Sequence, residues 1–503
     1  MKFLTLFIFL ITLFNCDCEV LNLPAHLKIG VATSSYQIEG GWDANGKGES
    51  IWDRYTHIKP SLIIDNSTGD VACDSYNKWR TDIEMVKHLG VDFYRFSLSW
   101  PRILPSGFSN TINPDGVRYY NDIINELIKN RIEPLVTLYH WDLPQPLQDI
   151  GGFPNPILAD YFQDYAKVAF ELFGDRVKRW ITFNEPPSIC VESFEDANTT
   201  AAKAPGFQSH GIGCYLCGKT LLMAHAKTYH LYDKMFRPQQ EGKIGISVNS
   251  PWYEPQTDSI DDKIAAERAI QMNYGWWVHP ILSTTGGYPP LMQERIDALS
   301  KAQNFSRSRL PPLSEKEKRI IKGTADFLGL NHYSSTYVTS GITPPKNPPS
   351  FKEDVGVNIR YGGSATGFRK LLNWIKEMYK NPLIYVTENG VADKGSALND
   401  TNRITFLRNY MVQLLKAIED GVNVERYTIW SLMDNMEWSL GYTIKMGLYH
   451  VDFSDPGRTR TAKSSVEFVR NITKNRRIVY ENENVENENN RDNLFTFPIH
   501  LVQ

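Results

Sequence analysis

Eight short apolar segments, rich in β-branched and aromatic residues, recur along the chain with longer amphipathic stretches between them. They run Leu27–Thr33, Phe93–Ser97, Glu133–Tyr139, Trp180–Asn184, Lys243–Asn249, Phe327–Asn331, Leu383–Glu388 and Val424–Ser431. Near-continuous apolar runs of this length suit strands buried on both faces, as in a parallel sheet. The intervals carry helical periodicity, as in Ser75–Leu89 and Thr401–Asp420. In the latter, Ile404, Leu407, Met411, Leu414, Leu415 and Ile418 fall on one face at spacings of three and four. Strand then helix, eight times over, predicts an α/β fold closed into a single (β/α)8 TIM barrel. No short repeat and no linker divides the chain, so one domain is expected over residues 19–478. A chain of 503 residues needs long loops on such a barrel, and the Pro- and Gly-rich stretch Gly341–Gly363 supplies part of the excess.

Composition narrows the function. Hydrophobic residues make up 42% and charged residues 22%, a globular balance. The net charge of −3 offers no basic excess for a phosphate backbone, so no nucleic-acid partner is expected. Met1-Lys2, the apolar run Phe3–Phe14 and the small residues Cys16 and Cys18 read as a secretory signal over residues 1–18. That run is shorter than the ~20 residues of a membrane span, and no other such run exists, so a soluble, secreted protein with no membrane partner is expected. Sequons at Asn66, Asn198, Asn304, Asn399 and Asn471 make these glycosylation candidates. Beyond the signal stand Cys73, Cys190, Cys214 and Cys217. Cys214-Tyr-Leu-Cys217 has the spacing of half a zinc site, but no second half completes it, so a local disulfide is expected and no metal. The pairing of Cys73 and Cys190 stays open. Gly41–Lys47 nearly spells a phosphate loop, but Gly48 replaces the hydroxyl that would hold magnesium, so it reads as a substrate-side loop. The Glu- and Asn-rich Glu481–Asn493 predicts a disordered tail over residues 479–503.

In a barrel of this kind, side chains at the C-terminal ends of the strands converge on one pocket. There the sequence places Gln37 and Glu39, Arg95 and Ser97, His140-Trp141, Asn184-Glu185-Pro186, Asn331-His332-Tyr333, Thr387-Glu388-Asn389 and Trp430-Ser431, with Glu437-Trp438 shortly after. Glu185 and Glu388 each terminate an apolar strand. A carboxylate there is costly unless it is paired or functional, and one alone would read equally as a salt bridge or a helix cap. Two, beside amides, imidazole and indoles, fit glycoside hydrolysis. One carboxylate meets the positive charge developing on the sugar, and the other protonates the leaving oxygen. Near neutrality these roles need different pKa values, set by environment.

The chain resembles glycoside hydrolase family 1, the β-glucosidase family, and its insect members in particular. The resemblance rests on Ala32–Gly40, Tyr94–Ser97 with Ser99–Arg102, Tyr139–Pro144, Thr182–Pro186, Asn331–Tyr333, Val386–Gly390, Trp430–Trp438 and Gly447–Phe453, and runs from about Leu27 to Ile472. It implies a (β/α)8 barrel and a retaining mechanism, with two carboxyls ~5 Å apart and no cofactor. Residue by residue, it makes Glu185 the general acid/base and Glu388 the nucleophile, with Arg95 and Tyr333 orienting Glu388 and keeping it ionised. Asn184 would hold the sugar 2-hydroxyl. Gln37, His140, Glu437 and Trp438 would read the outer hydroxyls, Trp430 would floor the sugar subsite, and Asn331 joins the substrate-binding set. The substrate implied is a small β-glycoside.

Two departures bear on specificity. Val191–Thr200, which should border the aglycone, carries three acids and a sequon in place of a Gly-rich turn. Met446 stands where an aromatic residue is common, which loosens the expected sugar preference. A rival reading is a thioglucosidase, or myrosinase, acting on glucosinolates. Their sulfate would call for a Lys or Arg, and Lys203 lies in the divergent stretch; Glu192, Glu195 and Asp196 argue against an anionic aglycone. A remoter alternative is a catalytically dead sugar-binding protein, which both retained acids disfavour.

Overall fold

The computed structural model describes residues 18–195, 203–341, 348–393, 395 and 398–481. At its centre is a closed barrel of eight parallel strands: β1 (Lys28–Ala32), β2 (Phe93–Ser97), β3 (Glu133–Tyr139), β4 (Arg179–Asn184), β5 (Lys243–Asn249), β6 (Phe327–Asn331), β7 (Ile384–Asn389) and β8 (Val424–Trp430). Each pairs with the next in chain order, and β8 closes on β1 with Trp430 opposite Ala32. Every strand lies within one residue, at either end, of the segment expected from hydrophobicity. The chain is thus a TIM barrel, and its polar strand ends point to one face.

Helices return the chain between strands, among them α1 (Ser75–Leu89), α2 (Pro114–Lys129), α3 (Leu158–Phe173), α4 (Gly213–Met235), α5 (Ile260–Ile270), α6 (Thr366–Met378), α7 (Thr401–Glu419) and α8 (Ser464–Asn475). Their limits follow local rules. Pro114 opens α2, where its missing N–H costs nothing, and Asn113 Oδ1 caps the Asp115 N–H at 3.2 Å. Tyr119, Tyr120, Ile123, Ile124 and Leu127 form its buried stripe. Gly90 ends α1 at φ 67°, a conformation that a side chain disfavours.

The floor of the barrel is a closed apolar layer of Phe93, Leu135, Ile181, Phe327 and Tyr385. Each such burial stabilises by roughly 1.5–3 kcal/mol. Below it the Arg426 guanidinium lies 5.0 Å from both the Phe93 and Tyr385 rings, and its Nη2 donates to both Glu133 oxygens at 3.1 and 3.0 Å. This plug confines the chemistry to the opposite end.

Two expectations change. The stretch Gly341–Gly363, read as loop, contains a helical turn, Phe351–Val355, and a strand, Val357–Tyr361. That strand pairs antiparallel with Ser335–Ser340, which pairs parallel with Trp252–Pro255. The expected tail starts too early, because Arg477–Glu481 is a strand paired antiparallel with Cys18–Asn22. Alternation explains it: Ile478 and Tyr480 are buried while Val479 is exposed. Residues 482–503, and residues 1–17 of the expected signal, lie outside the described residues. Among the described residues, no helix is long and apolar enough to cross a membrane.

Candidate active site

The two acids stand where their strands lose regular pairing. The β4–β5 register shifts between Ile181 and Asn184, and the β6–β7 register shifts between Val386 and Glu388. Such irregularities re-aim side chains at barrel rims. Glu185 itself has φ 53°, and Trp141 and Trp438 have φ 78° and 52°. Left-handed backbone at bulky residues costs of order 1–3 kcal/mol each, and here it turns all three side chains into one cavity.

A polar bridge joins the acids. Arg95 is buried at the barrel axis; its Nη1 donates to Glu388 Oε1 at 2.6 Å and its Nη2 to Asn184 Oδ1 at 2.7 Å. Asn331 Nδ2 donates to the same Asn184 oxygen at 3.0 Å and to Glu185 Oε1 at 2.7 Å. The Asn331 amide cannot be reversed, because its Oδ1 accepts from Thr387 Oγ1 at 2.7 Å and from Ser247 Oγ at 3.0 Å. Tyr333 OH completes the set by donating to Glu388 Oε2 at 2.5 Å.

The acids therefore differ in dressing. Burial pushes the Glu185 carboxyl up to about 8, and the Glu388 charge adds to that rise. Burial also raises Glu388, but the Arg95 charge and the Tyr333 and Arg95 hydrogen bonds oppose it. One carboxyl is held as an acid, and the other receives a guanidinium and a phenol that favour its anion. Burial drives His140 well below the ordinary imidazole range, so it is neutral. Its Nε2 accepts from Asn184 Nδ2 at 3.1 Å, which leaves the ring proton on Nδ1. Glu437 is pushed up to about 7 by burial, with Lys203 pulling it down.

These groups line a cavity of about 360 Å³, within the usual range for small-molecule sites. Trp430 and Trp438 flank His140, with near-parallel rings at 5.6 and 6.0 Å. His140, Asn184, Glu185, Asn331, Tyr333, Glu388, Trp430, Glu437 and Trp438 all face the cavity, as does Met446. Gln37 does not line it. It is fully buried behind Glu437, with its Nε2 donating to Glu437 Oε2 at 3.2 Å and to the Met436 carbonyl at 2.9 Å. Arg95 likewise stands behind the lining, beneath Glu388.

Several lining residues lie outside the set of substrate contacts expected from the sequence. Trp141, Ser188 and Glu192 flank the acids; Ser188 and Glu192 follow Glu185 by three and seven residues, a helical spacing that could have been noticed. Tyr253, Thr336, Ile359 and Tyr361 come from the three-stranded sheet over the barrel mouth. No local signal marks them, because nonlocal pairing places them. Lys203 joins the lining, its Nζ 5.4 Å from the Trp141 ring centroid and 3.9 Å from Glu192 Oε2. Among the described residues, no group of three or more His, Cys, Asp and Glu could hold a metal.

The expected Cys214–Cys217 disulfide is not formed. Cys217 bonds Cys190, whereas Cys214 and Cys73 are free and buried. Cys214 and Cys217 share α4 three residues apart, and side chains so placed have Cβ atoms ~5–6 Å apart, beyond disulfide reach. Cys217 meets instead the turn Ser188–Glu192, which carries Cys190. Of the sequons, Asn66, Asn304, Asn399 and Asn471 are exposed, and Asn198 lies outside the described residues.

Residues 20–478 match the family described as Glycosyl hydrolase family 1. The chain is 47% identical to Myrosinase 1 of Brevicoryne brassicae over 466 residues, covering 90% of this chain and 98% of that one. It is 41% identical to the cytosolic beta-glucosidase of Homo sapiens over 464 residues, with the same coverage. The solved aphid myrosinase superposes with a TM-score of 0.86 over 90% of this chain and 99% of that chain, at 47% identity.

Proposed function

The chain belongs to glycosyl hydrolase family 1, and from that premise we propose that it hydrolyses terminal β-D-glucosides joined to their aglycones through oxygen. It is a retaining glycoside hydrolase. Glu388 attacks the anomeric carbon while Glu185 gives its proton to the aglycone oxygen. The C–O bond to the aglycone breaks and a glycosyl ester forms on Glu388. Glu185, now ionised, takes a proton from water, which attacks the anomeric carbon and frees Glu388. The observation that carries this reading is the unequal dressing of two carboxyls in one cavity: Arg95 and Tyr333 on Glu388, burial and a neighbouring charge on Glu185. An O-linked leaving group needs the proton that Glu185 holds.

One observation favours the thioglucosidase as a second reading. Lys203 faces the cavity beside Trp141, where a sulfate-bearing aglycone would need a cation. Its charge is already met by Glu192, so O-glucosides stay the first reading. A hydrolysis panel of cellobiose, an aryl β-glucoside, an aryl β-galactoside and a glucosinolate decides between them. Turnover should be fastest on the glucosides and fall on the order of 10⁴-fold in Glu388→Gln. A glucosinolate outpacing every O-glycoside would reverse the order of the readings.

We propose that the protein is secreted, supported by the exposed sequons and the Cys190–Cys217 bond. Expressed with its own N-terminus, it should lose mass on enzymatic deglycosylation; an unglycosylated intracellular product would refute secretion.

A further inference from the structure

The turn after Glu185 brings up a carboxylate that the reaction scheme does not use. Ser188–Glu192 forms one π-helical turn, an uncommon form found often at functional sites. Buried Ser188 Oγ lies 3.0 Å from Glu185 Oε2 and 3.2 Å from Glu192 Oε1. A hydroxyl has one proton to donate and two lone pairs with which to accept, so it serves one carboxylate as donor at a time. Glu185 Oε1 is already committed to the Asn331 N–H. The proton of a neutral Glu185 therefore sits on Oε2, facing Ser188.

Two arrangements satisfy every group. With Glu185 protonated, its Oε2–H donates to Ser188 Oγ, and Ser188 donates to Glu192. With Glu185 ionised, Ser188 turns and donates to Glu185. A retaining cycle visits both states, the first before aglycone departure and the second before water attack. Resting on the glucosidase reading, we propose that Ser188 and Glu192 are positioning residues for the acid/base: the Ser188 hydroxyl reorients between two carboxylates, and the Glu192 charge keeps the proton on Glu185 until an aglycone oxygen takes it. No proton passes to Glu192.

The surrounding charges set the sign of the test. Glu185 shares its cavity with Glu388 from β7, Asn331 at the end of β6 and Tyr333 just after it, neutral His140 just after β3, Glu437 after β8, and Glu192 and Lys203 from the segment after β4. Glu388 and Glu192 both raise Glu185, and Asn331 and Ser188 lower it through hydrogen bonds. Lys203 Nζ, 3.9 Å from Glu192 Oε2, screens the Glu192 charge. Removing Glu192 deletes a negative charge and releases a positive one, and both effects favour ionised Glu185. Removing Lys203 does the reverse.

The experiment measures kcat/KM against pH for the full chain, using phenyl β-glucoside, whose poor leaving group needs the proton. Glu192→Gln should move the alkaline limb down by on the order of half a pH unit, and Lys203→Gln should move it up. Ser188→Ala should slow phenyl β-glucoside about tenfold and 2,4-dinitrophenyl β-glucoside, which leaves unaided, far less. Glu192→Asp should restore the wild-type limb. Limbs that stay in place or move together, or equal slowing of both substrates in Ser188→Ala, would overturn the proposal. A wild type that hydrolyses neither glucoside would sink the substrate reading itself.

Discussion

Taking a carboxyl out of water is one way to make it give up its proton near neutrality, and this protein does so repeatedly. Burial pushes Glu185 to about 8, Glu437 to about 7 and Asp142 to about 8. Asp142 accepts from Ser35 Oγ at 2.8 Å beneath the site. Folded values raised above those of the open chain carry a definite sign. The stability they confer is fully present below the ordinary carboxyl values of 4.5 and 3.8 and is lost as pH rises through about 7 to 8. The melting temperature should thus fall as pH is raised from about 5 to about 8, and Asp142→Asn should flatten that slope. A melting temperature constant across the window, in wild type and variant alike, would contradict this account.

At the scale of elements, the segment after β4 matters most. Glu185 at φ 53°, two prolines and a π turn follow one another directly, and Cys190–Cys217 ties that turn to α4. The bond closes a separation of 27 residues, which in the chain-entropy account stabilises by about 3.5 kcal/mol. Cys217→Ser should lower the melting temperature, and wild type with reductant should match the variant. Because the tethered turn carries Ser188, kcat/KM on phenyl β-glucoside should fall in both. Identical melting with and without reductant would show that the tether contributes nothing. The eight strands were legible because each is a local apolar run. The strand Val357–Tyr361 was not, because four of its five residues are exposed and only its antiparallel partner gives it regular form.

Across the whole molecule, the barrel separates chemistry from stability. The site occupies the end where the strands finish. The other end is closed by the five-residue apolar layer and by Arg426, whose charge is answered by Glu133, with Lys28 Nζ donating to the same carboxylate at 3.0 Å. Glu133→Ala leaves a buried guanidinium poorly matched, and it should destabilise by about 3 kcal/mol. The folded fraction should keep its kcat and KM, since none of the described residues at that end lines the cavity. A change in KM at full folding would mean that the two ends are coupled.

The periodicities of strand and helix, and the polar residues at strand ends, are written along the chain at short range. From these the sequence alone determined the barrel, its eight strands and the pair Glu185 and Glu388. Only the tertiary structure decided that Cys190 rather than Cys214 meets Cys217, that Gln37 stands behind Glu437, and that Lys203 reaches the cavity beside Glu192. Those contacts join segments whose separation in space depends on how long loops fold back over the barrel, and loop paths are fixed by packing and hydrogen bonding between distant residues rather than by any local repeat.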